Sequence, residues 1–159
     1  KKILIALDDN ETAVKMAEIG YGLAKSMNAR TVLLHVITDT TYYSSLNYSP
    51  IVGFGYGSNA VQTDTVEVVR SLAKNYLYQF RERLGDNKIE TVVETGDFAD
   101  MILHTARRLN VDIIVMGAHG RHGLQKILLE SAAEKVLNDS LIPLFIIPTK
   151  ALNPGKESS

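Results

Sequence analysis

Five short runs of Val, Ile and Leu, separated by amphipathic stretches, constrain this sequence more than any other feature. They are Ile3–Leu7, Val32–Ile37, Ile89–Glu94, Asp112–Met116 and Leu144–Ile147. Each is almost continuously apolar, the pattern of strands covered on both faces, which parallel sheets require. Between the runs, apolar residues recur at steps of three and four. The first such stripe is Ala13, Met16, Ala17, Gly20, Leu23, Ala24 and Met27, behind a polar start, "DDNE", suited to capping a helix. A second comprises Val66, Val69, Ala73, Tyr76, Leu77, Phe80 and Leu84, with Gly85 as its stop. The third opens on Asp97 and Asp100 and turns Met101, Ile102, Ala106 and Leu109 inward. The fourth runs from about Leu124 to Leu137, with Leu124, Ile127, Leu128, Ala132 and Val136 on one side.

The order β-α-β-α-β-α-β-α-β predicts an α/β fold: a single-domain, doubly wound, five-stranded parallel sheet with helices on both faces. With 159 residues in all, residues 1–150 are expected to form one domain and the polar residues 151–159 a loose tail. Ligands of such sheets bind beyond the carboxyl ends of the strands, close to where the strand order reverses. The segments to inspect are therefore "DDNETA", "ITDTTYY" and "GAHGRHGLQKILLES" (117–131). The connection Thr38–Asp64, rich in Ser, Thr, Tyr and Gly, is too long for an ordinary turn. It is a candidate cover for a cleft, a partner surface or a disordered insertion.

Composition removes several classes of function. Lys plus Arg number 17 against 18 Asp plus Glu, so the chain has no basic excess for nucleic acid or an anionic membrane. Without a cysteine there is no disulfide, thiolate metal site or thiol nucleophile. No apolar run approaches the ~20 residues that span a bilayer. A cytoplasmic protein with no membrane attachment is the expectation.

Of the motifs, "GFGYG" (Gly53–Gly57) has the wrong spacing and no preceding strand for a dinucleotide turn, and reads as a flexible loop. Gly117 and Gly120 do have the right context, after a strand and before a helix. A glycine turn at a helix start suits an anion, although any β-to-α turn needs a glycine or two. His119 and His122 have no third metal ligand near them in sequence and read as exposed or phosphate-facing loop residues. The other two, His35 and His104, read as structural. Asp8, at the end of the first strand, is suited to ribose hydroxyls or a metal, while Asp9 and Asn10 suffice for the helix cap. No constellation for nucleophilic or general acid–base catalysis is present, so no catalytic residue is assigned.

Taken together, "ILIALDDNETA", "LLHVI" (33–37), "ETGDFADMILHTARRLNVDIIVMGAHGRHGL" (94–124) and "SAAEKVLNDSLIPLFII" (131–147) resemble the universal stress protein family over nearly the whole chain. The resemblance implies a Rossmann-like sheet of the adenine nucleotide alpha hydrolase kind. Members of its ATP-binding branch carry G-x-x-G, nine residues, then G-[ST]. Here Gly117 and Gly120 match the first pair, but the second reads Glu130-Ser131. Carried over residue by residue, Asp8 would meet the ribose and Val36 the adenine. Gly117, Gly120 and Ser131 would meet the ribose and phosphates, with Gly96 and Met116 lining the same cleft. Glu130 then stands as a repulsive charge beside the phosphates, unless it points away or holds a bridging Mg²⁺.

Three functions compete. The leading one is a stress-response regulator that binds ATP or a related adenine nucleotide and acts as a dimer. Glu130 motivates the second, a nucleotide-independent dimeric interaction protein. A weak ATPase is the third, with His119 and His122 its only nearby candidates. In the family the last strand pairs across a two-fold axis at a sheet edge. A homodimer through Leu144, Phe145, Ile146 and Ile147 is therefore expected.

Overall fold

A computed structural model describes residues 1–9, 11–38, 61–118 and 126–148; within the helices, side chains are described from Val66 and from Ala132 onward. The elements alternate as the apolar runs require. They are β1 (Lys2–Leu7), α1 (Ala13–Ser26), β2 (Arg30–Ile37), α2 (Val61–Leu84), β3 (Glu90–Thr95), α3 (Phe98–Arg108), β4 (Ile113–Gly117), α4 (Lys126–Asp139) and β5 (Leu144–Ile147). All four pairings are parallel and the strand order is β3-β2-β1-β4-β5. The fold class expected from the sequence is the one found.

Two cores lie on the two faces of the sheet. Strand alternation sends Ile3, Ile5, Leu7, Leu33 and Ile37 to one side, where Met16, Ala17, Ala24, Val69, Ala73, Leu77 and Phe80 of α1 and α2 cover them. It sends Leu4, Ala6, Val32, Leu34, Val36, Ile114 and Met116 to the other, beneath Ile102, Leu103 and Ala106 of α3 and Val136 of α4. The central strand β1 is buried along its whole length after Lys2, as expected of a strand with neighbours on both edges and helices on both faces. The edge strand β3 buries only Val93.

Asparagine stops two of the helices, α1 and α3. After α1, Asn28 takes φ 51°; its N–H reaches the Lys25 carbonyl at 3.1 Å, and Ala29 N–H reaches Ala24 at 2.8 Å. After α3, Asn110 takes the same φ, with Asn110 N–H to Arg107 at 3.1 Å and Val111 N–H to Ala106 at 3.0 Å. Both are Schellman closures, in which a left-handed residue returns two amides to the carbonyls of the last turn. Asparagine tolerates that φ better than other non-glycine residues. Gly85 closes α2 with φ 68°, as its position in the sequence suggested.

Two sequence expectations need correction. The cap of α1 is Thr12, in helical geometry and without a side-chain capping bond, rather than Asp9 or Asn10. Val66 was expected to face inward but is 48% exposed. The reason is length. At 24 residues α2 runs about 36 Å, whereas its six-residue neighbour β3 spans about 20 Å, so the first turns of the helix reach past the sheet. By contrast the cap of α3 is as expected: the Asp97 carboxylate accepts from Asp100 N–H at 3.0 Å.

Candidate functional site

In this strand order the chain winds outward from β1 through β2 to β3, then returns to β1's other edge as β4 and ends at β5. The reversal therefore lies between β1 and β4, at the carboxyl ends of their strands, where a crevice is expected. Asp8 follows β1 and Gly117 ends β4, so these two candidates flank the reversal. Val36, one strand further out, lies near the end of β2. Met116 shares its face of the sheet; at 1% and 2% exposed, both form floor rather than open wall. Gly96 follows β3, and its N–H bonds the Ile37 carbonyl at 3.0 Å, which ties the ends of β2 and β3 together. Its φ of 148° is reserved for glycine, and a Cβ there would stand 3.2 Å from Met101 Cγ. Five of the ten candidates thus share one edge of the sheet. His119, Gly120 and His122 lie outside the described residues, as does residues 39–60 of the long connection. The backbone of Glu130 and Ser131 falls in the second turn of α4, and their side chains lie outside the described residues too.

Sequence reasoning missed what holds Asp8. Tyr76, counted only as an apolar position of α2, donates its hydroxyl to the Asp8 main-chain oxygen at 2.6 Å. The Asp8 carboxylate accepts from Asp9 N–H at 2.9 Å and is nearly buried. His35, 4% exposed, brings Nδ1 to 3.1 Å from the Leu7 carbonyl. A carbonyl can only accept, so that nitrogen carries the proton. The imidazole also meets the Tyr76 ring edge-on at 5.2 Å, and Tyr76 meets Phe80 at 4.9 Å. Two successive carbonyls at the end of β1 are therefore anchored from β2 and α2. The available signal was a tyrosine, an aromatic body with a polar tip, at a core position four residues before Phe80. His104, expected to be structural, lies on the exposed side of α3.

Tyr76→Phe should lower stability by about 1–2 kcal/mol, because it removes the donor from a part-buried carbonyl. For a chain of this size that corresponds to a melting temperature lower by about 2–8 °C. Chemical denaturation with an unchanged m-value would show that the loss is one of stability and not of compactness. An unaltered midpoint would remove the bond from the account.

Among the described residues, no group of three or more His, Asp or Glu is placed to hold a metal ion, and no helix is long and apolar enough to cross a membrane. The Mg²⁺ expectation rested on Glu130 and so falls outside what is described.

The strand order, with its reversal between β1 and β4, defines a doubly wound α/β protein. The universal stress protein family model matches residues 1–148. The chain belongs to that family. Among its relatives, the universal stress protein MJ0577 of Methanocaldococcus jannaschii is 31% identical over 156 residues, covering 94% of this chain and 96% of the relative. The solved structure of MJ0577 superposes with a TM-score of 0.71 at 27% identity, covering 93% and 95% of the two chains. A universal stress protein solved in complex with cAMP has the same fold, with a TM-score of 0.59 at 15% identity over 94% of this chain and 97% of its own. So does one from Archaeoglobus fulgidus in complex with dAMP, at a TM-score of 0.58 and 13% identity over 92% and 96%.

Proposed function

We propose that this protein binds an adenine nucleotide in the crevice at the carboxyl ends of β1, β2 and β4, and acts as a regulatory dimer rather than as an enzyme. The observation that carries this reading is the anchored Asp8 at the strand-order reversal, with Gly117 on the opposite lip. Asp8 would receive the ribose hydroxyls, Val36 and Met116 would floor the adenine pocket, and Gly96 would border it. Gly117, Gly120 and Ser131 would meet the phosphates, with His119 and His122 on the same turn. Relatives of the fold solved with cAMP and dAMP support the ligand class. Equilibrium dialysis against ATP, ADP and AMP, with and without Mg²⁺, tests it. Binding of at least one nucleotide at millimolar concentration or below is the expected result, and none at that concentration would sink the reading.

The dimer is proposed through β5. This strand is a sheet edge, bracketed by Pro143 and Pro148, yet Phe145 is 41% and Ile146 37% exposed. An apolar edge of that kind is ordinarily covered by a partner. Light scattering should give twice the chain mass, and a monomer at micromolar concentration would refute it. A nucleotide-independent dimer is the second reading, favoured by Glu130 in place of the motif glycine.

A further inference from the structure

At the opposite pole of the sheet, where the strands begin, lies a pocket of about 540 Å³ that the proposed nucleotide cleft does not use. That volume is in the range of small-molecule sites. Three segments distant in sequence build it: the end of α1, the start of β2 and the turn from α2 into β3. Its wall is a fixed unit. The Asp86 carboxylate accepts from Tyr21 Oη at 2.9 Å through one oxygen and from Lys88 N–H at 2.9 Å through the other. The Lys88 backbone bond, followed by the Tyr21 hydroxyl, holds the Asp86 carboxyl below the usual carboxylate range, so the acid is ionised and already occupied at neutral pH. Ile89, 3% exposed, and Ala29 supply apolar surface beside the Tyr21 ring.

Against that occupied acid stand three cations. Arg30 is committed outward to Glu90 at 2.7 Å. Lys25, with Nζ 5.7 Å from the Tyr21 ring centroid, and Lys88 make no ion pair within 4 Å among the described residues. The last carbonyls of α1 do not repel an anion as a bare helix end would, because Met27, Asn28 and Ala29 amides already bond Leu23, Lys25 and Ala24. The pocket therefore offers two ammonium groups that act on Asp86 without a close ion pair among the described residues, beside an aromatic ring and an aliphatic floor.

We propose that this pocket is a second ligand site, for a small phosphate monoester whose phosphate meets Lys25 and Lys88 and whose apolar or planar body rests on Tyr21 and Ile89. Lysine suits phosphate as a point charge, and the aromatic surface distinguishes a monoester from the bare anion. The site is separate from the adenine cleft and does not depend on it.

Amide chemical shifts of the full chain, followed during titration with inorganic phosphate and with phenyl phosphate at matched ionic strength, test the proposal. Saturable shifts are expected at residues 21–31 and 86–89, with phenyl phosphate binding the tighter of the two. Occupancy of the other site would instead report at residues 8 and 116–118, so the two are read separately. Lys25→Gln and Lys88→Gln should each weaken phenyl phosphate binding about tenfold, the equivalent of one lost charge-assisted hydrogen bond, with the melting temperature unchanged. Overturning results would be the absence of saturable shifts around the pocket, equal affinity for the two probes, or binding indifferent to both lysine substitutions.

Discussion

Exchange of Glu130 for glycine is expected to raise the affinity for ATP about a hundredfold while changing that for AMP by less than about threefold. By the resemblance to the family's ATP-binding branch, Glu130 would take the place of the motif's second glycine, next to Ser131. A carboxylate ~5 Å from a terminal phosphate, at an effective dielectric of ~20, costs about 3 kcal/mol, which is about two decades in the dissociation constant. AMP, ending at its first phosphate, does not reach that far in this reading. Because Glu130 lies in the second turn of α4, glycine there should also lower stability by about 1 kcal/mol. Affinity and stability should thus move in opposite directions, which a nonspecific loosening of the helix would not produce. Glu130→Gln separates charge from bulk: it should recover most of the gain if repulsion is the cause. Calorimetric titration with and without Mg²⁺ decides the matter. Should the glycine variant lose ATP affinity only when Mg²⁺ is present, the carboxylate is a cation ligand and the repulsion argument is wrong.

Gly20→Val should lower stability by about 3 kcal/mol and the melting temperature by about 6–12 °C. The helix crosses β1 at this glycine. A Cβ built there would stand 2.7 Å from Ile5 Cδ1 and 2.9 Å from Ile5 Cγ1, closer than real contacts allow. Ile5 is fully buried in the central strand, so its side chain has little room to retreat. Valine adds two further methyl groups to that clash. The better helix propensity of valine over glycine recovers less than about 1 kcal/mol. Ile5→Ala by itself should cost about 2–5 kcal/mol through the cavity it opens. Combined with Gly20→Val it should cost clearly less than the two together, because each substitution fills or relieves what the other creates. Simple additivity in thermal melts would show that the two residues do not press on one another.

Gly20 illustrates how the sequence and the fold relate here. Its place in the apolar stripe of α1 was evident, but the reason for having no side chain was not, since Ile5 is its neighbour only once the sheet forms. The strands were legible because four carry nearly continuous apolar runs, while Ile89, Val92 and Val93 alone carry the signal of the third, and β5 was bounded to the residue by its flanking prolines. Helix ends were read less well. "DDNE" has the composition of a cap, yet Asp8 is bent onto Asp9 N–H and pinned by Tyr76, so the helix starts at Ala13 behind Thr12. The stops at Asn28 and Asn110 went unseen because asparagine takes the left-handed conformation less often than glycine and so announces it less clearly. As for the site, the strand ends pointed to Asp8, Gly117 and their neighbours, whereas the Tyr76 anchor crosses 68 residues of chain. Such a contact leaves no periodicity to read. The pocket around Asp86 is of the same kind, joined by Tyr21 across 65 residues.

The position of β1 at the middle of the sheet has a consequence for how the chain acquires its fold. Its pairing with β2 is nearly local, but its pairing with β4 waits for residues 113–115, and Lys2 N–H meets Asp112 across 110 residues. During synthesis β1 and β2, which ends at Ile37, are complete long before that partner, which begins at Ile113, emerges. Until then one border of the central strand is open, with its unpaired amides and carbonyls available to any other extended chain. High contact order of this kind slows folding. This hazard at the border of β1 therefore belongs to the nascent protein, and it is removed there when β4 docks.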